Sequence, residues 1–200
     1  MKKSRISIKD ICTISILTVA TTVMAQISIP LPFTPVPISF GLVAVYMTGI
    51  LLSPRHGAFA QITYLLLGAV GLPVFANFKG GLGALLGPTG GFLMVFPLMS
   101  FLVSIAINGN RSLQKENVRG RLYLYVKVVS AMVLSHLILY SAGTIWFSLT
   151  THTPFAGALM MTVIPFIPMD IIKVAFCAVV FIPFRKRLVR MGLLSFPSPA

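Results

Sequence analysis

Residues 165–173 read PFIPMDIIK, and the pair of charges inside this run decides how the whole chain is read. Asp170 and Lys173 stand three residues apart in otherwise apolar sequence, although the chain holds only three acidic residues among 200, Asp10, Glu116 and Asp170. A charged side chain at the centre of a bilayer helix costs roughly 2.5–3.5 kcal/mol on insertion scales, so a span keeps one where it is paired or serves a site. Spacing of i, i+3 puts both groups on one helical face. Pro168 suits the first turn of a helix, which sets Asp170 near the positive end of the helix dipole, toward the outer end of the span. Two readings stay open: an ion pair that locks a helix bundle, or the polar part of a binding site.

Composition sets the frame for that pair. The chain is 56% hydrophobic and 10% charged, where a soluble domain carries about a quarter charged residues. Mean hydropathy is +0.95. A globule of 200 residues cannot bury so much apolar surface, so the fold class is all-α, an integral membrane bundle forming one domain over 1–200. The net charge of +13 is not a nucleic-acid signature, because the basic residues sit in short clusters flanking apolar runs. Cys12 and Cys177 lie in apolar segments without a CxxC spacing and read as small fillers.

Spans need roughly 17–25 apolar residues. Six candidates emerge at about 11–29, 38–52, 58–74, 92–107, 122–149 and 158–184, the last interrupted by Pro165 and Pro168. The first is too long for the apolar part of a signal peptide and counts as a span. Pro30, Pro32, Pro35 and Pro37 make the segment after it an extended connector. With the amino terminus in the cytoplasm, the inner segments hold four basic residues at the amino end (Lys2, Lys3, Arg5, Lys9) and Arg55. They also hold four in the linker (Arg111, Lys115, Arg119, Arg121) and four at the carboxyl end (Arg185, Lys186, Arg187, Arg190). That is thirteen of the sixteen, and the outer segments hold Lys79 alone. This asymmetry predicts six transmembrane helices with the N and C termini both cytoplasmic, in a multi-pass protein of the cytoplasmic membrane in contact with anionic lipid.

The same topology turns residues 71–91 outward. Seven glycines are mixed there with Leu72, Phe75, Phe78, Leu82 and Leu86, too oily for a plain solvent loop. Irregular backbone at membrane depth is tolerated where it lines a cavity, so the stretch reads either as a Gly-rich outer cap over a site or as a compact connector. Gln61 and Tyr64 share a face at i, i+3, and Asn77 and Lys79 follow in the outer stretch. Gln61 and Tyr64 suit a pocket or interhelical hydrogen bonds equally. His136, with Ser135 and Tyr140 near it, reads as an interhelical hydrogen bonder.

Catalytic patterns are missing from the sequence. There is no HExxH, no GxSxG and no GxxxxGK[ST], and GPTGG at 87–91 lacks the phosphate-binding lysine. No His, Cys and carboxylate cluster suggests a metal. The chain is equipped to bind rather than to break bonds.

Three blocks then carry a resemblance: QISIPLPFTPVPISF (26–40), LLSPRHGAFAQITYLLLGAVGLPVFANFKGGLGALLGPTGGF (51–92) and IPFIPMDIIKV (164–174). In this order the chain resembles the BioY family of biotin-transporter S components. The resemblance implies a six-helix substrate-capture subunit of an energy-coupling-factor (ECF) transporter. Its ligand would be biotin, bound from outside and transported, with no cofactor. Its partners would be a transmembrane coupling protein and two cytoplasmic ATPase subunits, which fits a chain without a P-loop. Asp170 would then accept from the ureido N–H groups of biotin, and Lys173 would meet the ureido oxygen. Asn77 would hydrogen-bond the ligand, Gln61 and Tyr64 would line the pocket, and Lys79 would meet the valerate carboxylate. Gly80 and Gly81 beside it, with Phe75, Phe78 and Trp146 as apolar walls, complete the implied site. Such subunits dock through small residues on the first span, and Thr18/Thr22 and Thr21/Ala25 have that spacing here.

Three other readings compete. One is an S component for a different vitamin. Another is a membrane enzyme acting on lipid, which would need paired acids or a metal cluster. The third is a non-catalytic membrane assembly subunit, in which Asp170 and Lys173 would matter only as a pair.

Overall fold

The computed structural model of the chain describes residues 7–109 and 118–193. Lys2, Lys3, Arg5, Arg111 and Lys115, part of the topology reading above, lie outside the described residues, as does Glu116.

Helix α1 (Ile8–Gln26) leads into a β-hairpin, β1 (Ser28–Leu31) and β2 (Thr34–Ser39). Then come α2 (Gly41–Leu51), α3 (Pro54–Ala69), a 3-10 turn at Ala76–Phe78, α4 (Leu82–Leu86), α5 (Gly90–Met94) and α6 (Phe96–Asn108). Helices α7 (Val118–Thr151), α8 (Phe155–Thr162) and α9 (Ile167–Arg190) complete the order. Among the described residues, four helical stretches are long and apolar enough to cross a membrane: Ile8–Gln26, Gly90–Asn108, Val118–Thr151 and Ile167–Arg190. Helix α2 has 11 residues and α3 has 16, about 16 and 24 Å at 1.5 Å per residue.

The proline segment departs from a plain connector. It folds back on itself as an antiparallel pair, Ser28 opposite Ser39 and Ile29 opposite Ile38, with an irregularity between Ile29 and Leu31 where Pro30 has no N–H to give. The hairpin delays the second helix, so α2 starts at Gly41 instead of near 38. The last predicted span is likewise two helices. The four residues 163–166 separate α8 from α9, because Pro165 lacks a donor and disfavours a helical residue before it. Helix α9 restarts at Ile167 with Pro168 in its first turn and Asp170 directly after it.

Helix α2 is the axis of the bundle. Val43, Ala44, Val45, Tyr46 and Ile50 are wholly buried between α1, α6 and α9. Around it Met99 and Val103 of α6, Val128 and Met132 of α7 and Cys177 of α9 make the core. Outward, α1 exposes Ile16, Val19 and Val23, and α9 exposes Ile171, Ile172 and Val179. Apolar faces this broad belong against lipid tails.

The small-residue spacing on α1 points inward. Thr18, Thr21 and Ala25 are buried within the chain, and Thr18 Oγ1 donates to the Ala60 oxygen of α3 at 3.0 Å. Thr22 is half-buried, its hydroxyl turned back to the Thr18 oxygen at 3.1 Å. Thr18, Thr21 and Ala25 pack α1 onto α2 and α3, since small residues allow close helix approach whichever helix is the partner.

Candidate functional site

Asp170 is the centre of a polar cluster drawn from three helices. Lys173 Nζ donates to its Oδ1 at 2.9 Å, one turn along α9. Tyr140 of α7 donates its hydroxyl to Oδ2 at 2.6 Å. His136, four residues earlier on the same face of α7, brings Nε2 to 3.0 Å from Oδ2, close but not aligned as a hydrogen bond. The Nδ1 of His136 is held by the hydroxyl of Tyr46 on α2. Asp170 is only 4% exposed and Lys173 only 3%. A buried pair this enclosed requires good geometry and further hydrogen bonds to offset its desolvation, and Tyr140 supplies one of them.

The pair forms the floor of a cavity of about 780 Å³, counting the space at its open mouth. Its walls are largely apolar and include the rings of Phe75, Phe92, Phe96 and Phe166. Val36, Pro37 and Ser39 of the hairpin close one side. The Gly-rich stretch contributes Ala76, Lys79, Ala84 and Thr89, so it behaves as a cap over a cavity and not as a bare connector. Lys79 is exposed at the rim, where a second cleft lined by Gly80, Gly83, Gly87 and Pro88 opens beside it.

Two glycines seat the aromatic walls. A Cβ at Gly68 would overlap the ring of Phe75, and one at Gly143 would overlap the ring of Phe92. Each phenylalanine lies where only a bare α-carbon lets it lie.

Of the residues singled out from sequence, Asp170, Lys173, Lys79 and Phe75 line this cavity and Gly80 lines the adjoining cleft. The structure does not bring the others to it. Gln61 is wholly buried between α1, α2 and α3, its Nε2 donating to Thr21 at 3.2 Å and Thr48 at 3.1 Å. Tyr64 stands behind the wall, packed edge-on to Phe75 and stacked on Phe96. Asn77 adopts φ 59°, the left-handed region, and its carboxamide oxygen accepts from Ser28 of the hairpin at 2.9 Å. Phe78 is 71% exposed, and its N–H donates to Gln26 Oε1 at 2.9 Å. Gly81, at φ +86°, turns the chain into α4 of the cap. Trp146 is a clamp, donating Nε1–H to the Gly87 oxygen at 2.9 Å.

Sequence reasoning did not reach Tyr140 or Tyr46 as members of this cluster. A signal was present, because His136 and Tyr140 are polar groups at i, i+4 on an apolar span and therefore share a face.

The BioY family model matches residues 1–190. A probable biotin transporter BioY of Pyrococcus horikoshii is 31% identical over 172 residues, covering 86% of this chain and 93% of that one. A biotin transporter BioY of Thermotoga maritima is 33% identical over 171 residues, 86% of this chain and 92% of that one. Among solved structures, the S-component for biotin from an ECF-type ABC transporter superposes with a TM-score of 0.76 at 25% identity over 92% of each chain. A second structure, the S component of a bacterial ECF transporter, has a TM-score of 0.52 at 19% identity and shares the fold.

Proposed function

The chain belongs to the BioY family, and from that premise we propose that it is the biotin-capture subunit of an ECF transporter. It takes biotin from outside the cytoplasmic membrane of a prokaryote and passes it inward. The energy comes from ATPases on other chains, reached through a transmembrane coupling protein. Six spans with both termini in the cytoplasm place the Gly-rich cap and the cavity mouth outside.

One observation carries the reading: a buried Asp170–Lys173 pair forms the floor of a phenylalanine-walled cavity whose rim holds an exposed lysine. Biotin has the matching order of groups. Its ureido edge offers N–H donors to Asp170 and a carbonyl to Lys173, whose ammonium keeps two donors beyond the one given to Asp170. Its apolar rings and tail lie against Phe75, Phe92 and Phe96. Its carboxylate reaches Lys79. A structural ion pair would not need to face a cavity.

Calorimetric titration of the detergent-purified chain with biotin tests this. Saturable binding that is lost in D170N, with the fold intact by circular dichroism, is the expected result. Absence of binding by folded wild-type protein overturns the biotin reading, and other vitamins would then be titrated in the same way.

A further inference from the structure

The cavity does not end at Lys79. A second cleft of about 660 Å³, counting the space at its open side, adjoins it, and Lys79, Ala84 and Thr89 line both. Pro35 of the hairpin and Gly80, Gly83, Gly87 and Pro88 of the cap make up the rest of the cleft. Lys79 is the one charged residue on its wall.

Six of the seven glycines between residues 71 and 91 answer to the backbone or to packing. Gly71 and Gly81 have φ of +110° and +86°, and a Cβ at Gly80, Gly87, Gly90 or Gly91 would collide with a neighbouring group. Gly83 is the exception. It lies within α4, where glycine weakens a helix relative to alanine, and nothing stands within 4 Å of the place a Cβ would take. The fold does not call for glycine there. Gly83 lines the cleft, so a side chain at this position would occupy space that is now open beside Lys79.

We propose that the cleft receives ligand chain extended beyond the carboxyl carbon, so that the protein captures biotin amides, such as biotin joined to the ε-amine of lysine, as well as free biotin. The inference rests on the biotin reading above and widens its substrate class. With the ureido edge in the floor at Asp170 and Lys173, the carboxyl carbon comes to Lys79, the residue that cavity and cleft share. An amide at that point keeps a carbonyl oxygen to accept from Lys79 and gives up only the charge. Lys79 is exposed, so the charge contributes little. The substituent on the amide nitrogen continues past Lys79 into the cleft. Gly80 and Gly83 are exposed there, so polar groups on the substituent keep their water and no desolvation opposes binding.

Calorimetric titration of the full chain in detergent with biotin, biotin primary amide and Nε-biotinyl-lysine tests this. The primary amide removes the charge without adding chain. Wild type is expected to bind both amides alike, about two- to fivefold more weakly than biotin. G83L, with its fold confirmed by circular dichroism, is expected to keep biotin and the primary amide within about twofold and to weaken Nε-biotinyl-lysine about tenfold or more. Wild type that binds Nε-biotinyl-lysine more than about tenfold more weakly than the primary amide overturns the proposal. So does a G83L that treats the three ligands alike. Should G83L fail to fold, wild type is labelled with a biotin amide that ends in a photoreactive diazirine. Label on Pro35 or within residues 80–89 supports the cleft, and label confined to other segments overturns it. Binding of biotin with rejection of both amides defeats this proposal alone, whereas folded protein that binds none of the three defeats the biotin reading and this inference with it.

Discussion

Tyr140 donates a hydrogen bond from its hydroxyl to Asp170 at 2.6 Å, from the middle of α7 to the first turn of α9. Both residues line the cavity, so this bond fixes which carboxylate lone pairs remain for a ligand. Oδ2 is occupied by Tyr140 and approached by His136, which leaves Oδ1, shared with Lys173, as the oxygen with capacity for a ligand. In Y140F the carboxylate loses its shortest tether. A hydrogen bond to a charged group contributes about 1.5–3 kcal/mol, so biotin affinity is expected to fall about tenfold or more while the chain stays folded. Calorimetry of the variant measures it. An unchanged affinity would remove Tyr140 from the site.

The Asp170–Lys173 pair separates binding from stability. K173M leaves a buried carboxylate without its cation, a change that costs about 3–5 kcal/mol in buried pairs. D170L/K173M removes both charges, and its thermal midpoint in detergent is expected to lie above that of K173M. Both variants are expected to lose biotin binding. A double variant that still binds biotin would reduce the pair to a structural lock.

How far the sequence revealed this site depends on what each residue's signal encodes. A carboxylate in an apolar span is rare enough to announce itself, so Asp170 and Lys173 were legible, and Pro168 correctly set Asp170 in the first turn of its helix. Spacing on α3 showed that Gln61 and Tyr64 share a face but not what that face meets. It meets α1 and α6, while the cavity lies between the hairpin, the cap, α6, α7 and α9. The same ambiguity holds for Thr18, Thr21 and Ala25, since close packing looks alike for an internal and an external helix. The hairpin was hidden because four prolines signal extended chain without saying whether it pairs with itself. His136 and Tyr140 carried a readable i, i+4 pattern, but their partner on α2, Tyr46, is 90 residues from His136.

The seat of Phe92 on Gly143 gives a prediction about cavity shape. G143A adds a methyl where the ring now lies, and backbone on a long helix cannot easily yield, so the ring moves toward the cavity it lines. Overpacking of this kind costs about 1–3 kcal/mol. Biotin affinity is expected to drop by about tenfold, and G143A/F92L, with a smaller wall residue, is expected to recover part of it. Failure of the double variant to recover would place the cost of G143A elsewhere.

Lys79 is exposed at the rim, and its contribution is therefore limited. An exposed ion pair is worth about 0.2–1 kcal/mol, so K79M is expected to weaken biotin binding by only about two- to fivefold. The loss should shrink with added salt, as screening of an exposed charge requires. Biotin methyl ester, which has no carboxylate, is expected to bind wild type and K79M alike. A K79M effect of the same size on the ester would mean that the lysine acts by shaping the cap and not by its charge.

Gln61 supplies the sharpest test of where the cavity ends. Its Nε2 donates to Thr21 and Thr48, but each of those hydroxyls also donates to its own helix, to Leu17 at 2.8 Å and Ala44 at 2.8 Å. The threonines therefore stay hydrogen-bonded without it. The Oε1 of Gln61, by contrast, is buried without a hydrogen-bond partner, a loss the chain carries in the folded state. Replacing the amide by an apolar group of similar size removes that unpaired acceptor and leaves no orphan behind. Q61L is thus expected to keep or slightly raise the thermal midpoint and to change biotin affinity by less than about twofold. If Gln61 faced the ligand, the same substitution would strip a hydrogen bond from biotin and leave a ligand group unpaired, costing tenfold or more at about 1.4 kcal/mol per decade. Calorimetry and a melting curve on one variant distinguish the two: a stable Q61L with unaltered affinity keeps the residue in the α1–α2–α3 seam, and a stable Q61L that no longer binds moves it into the site.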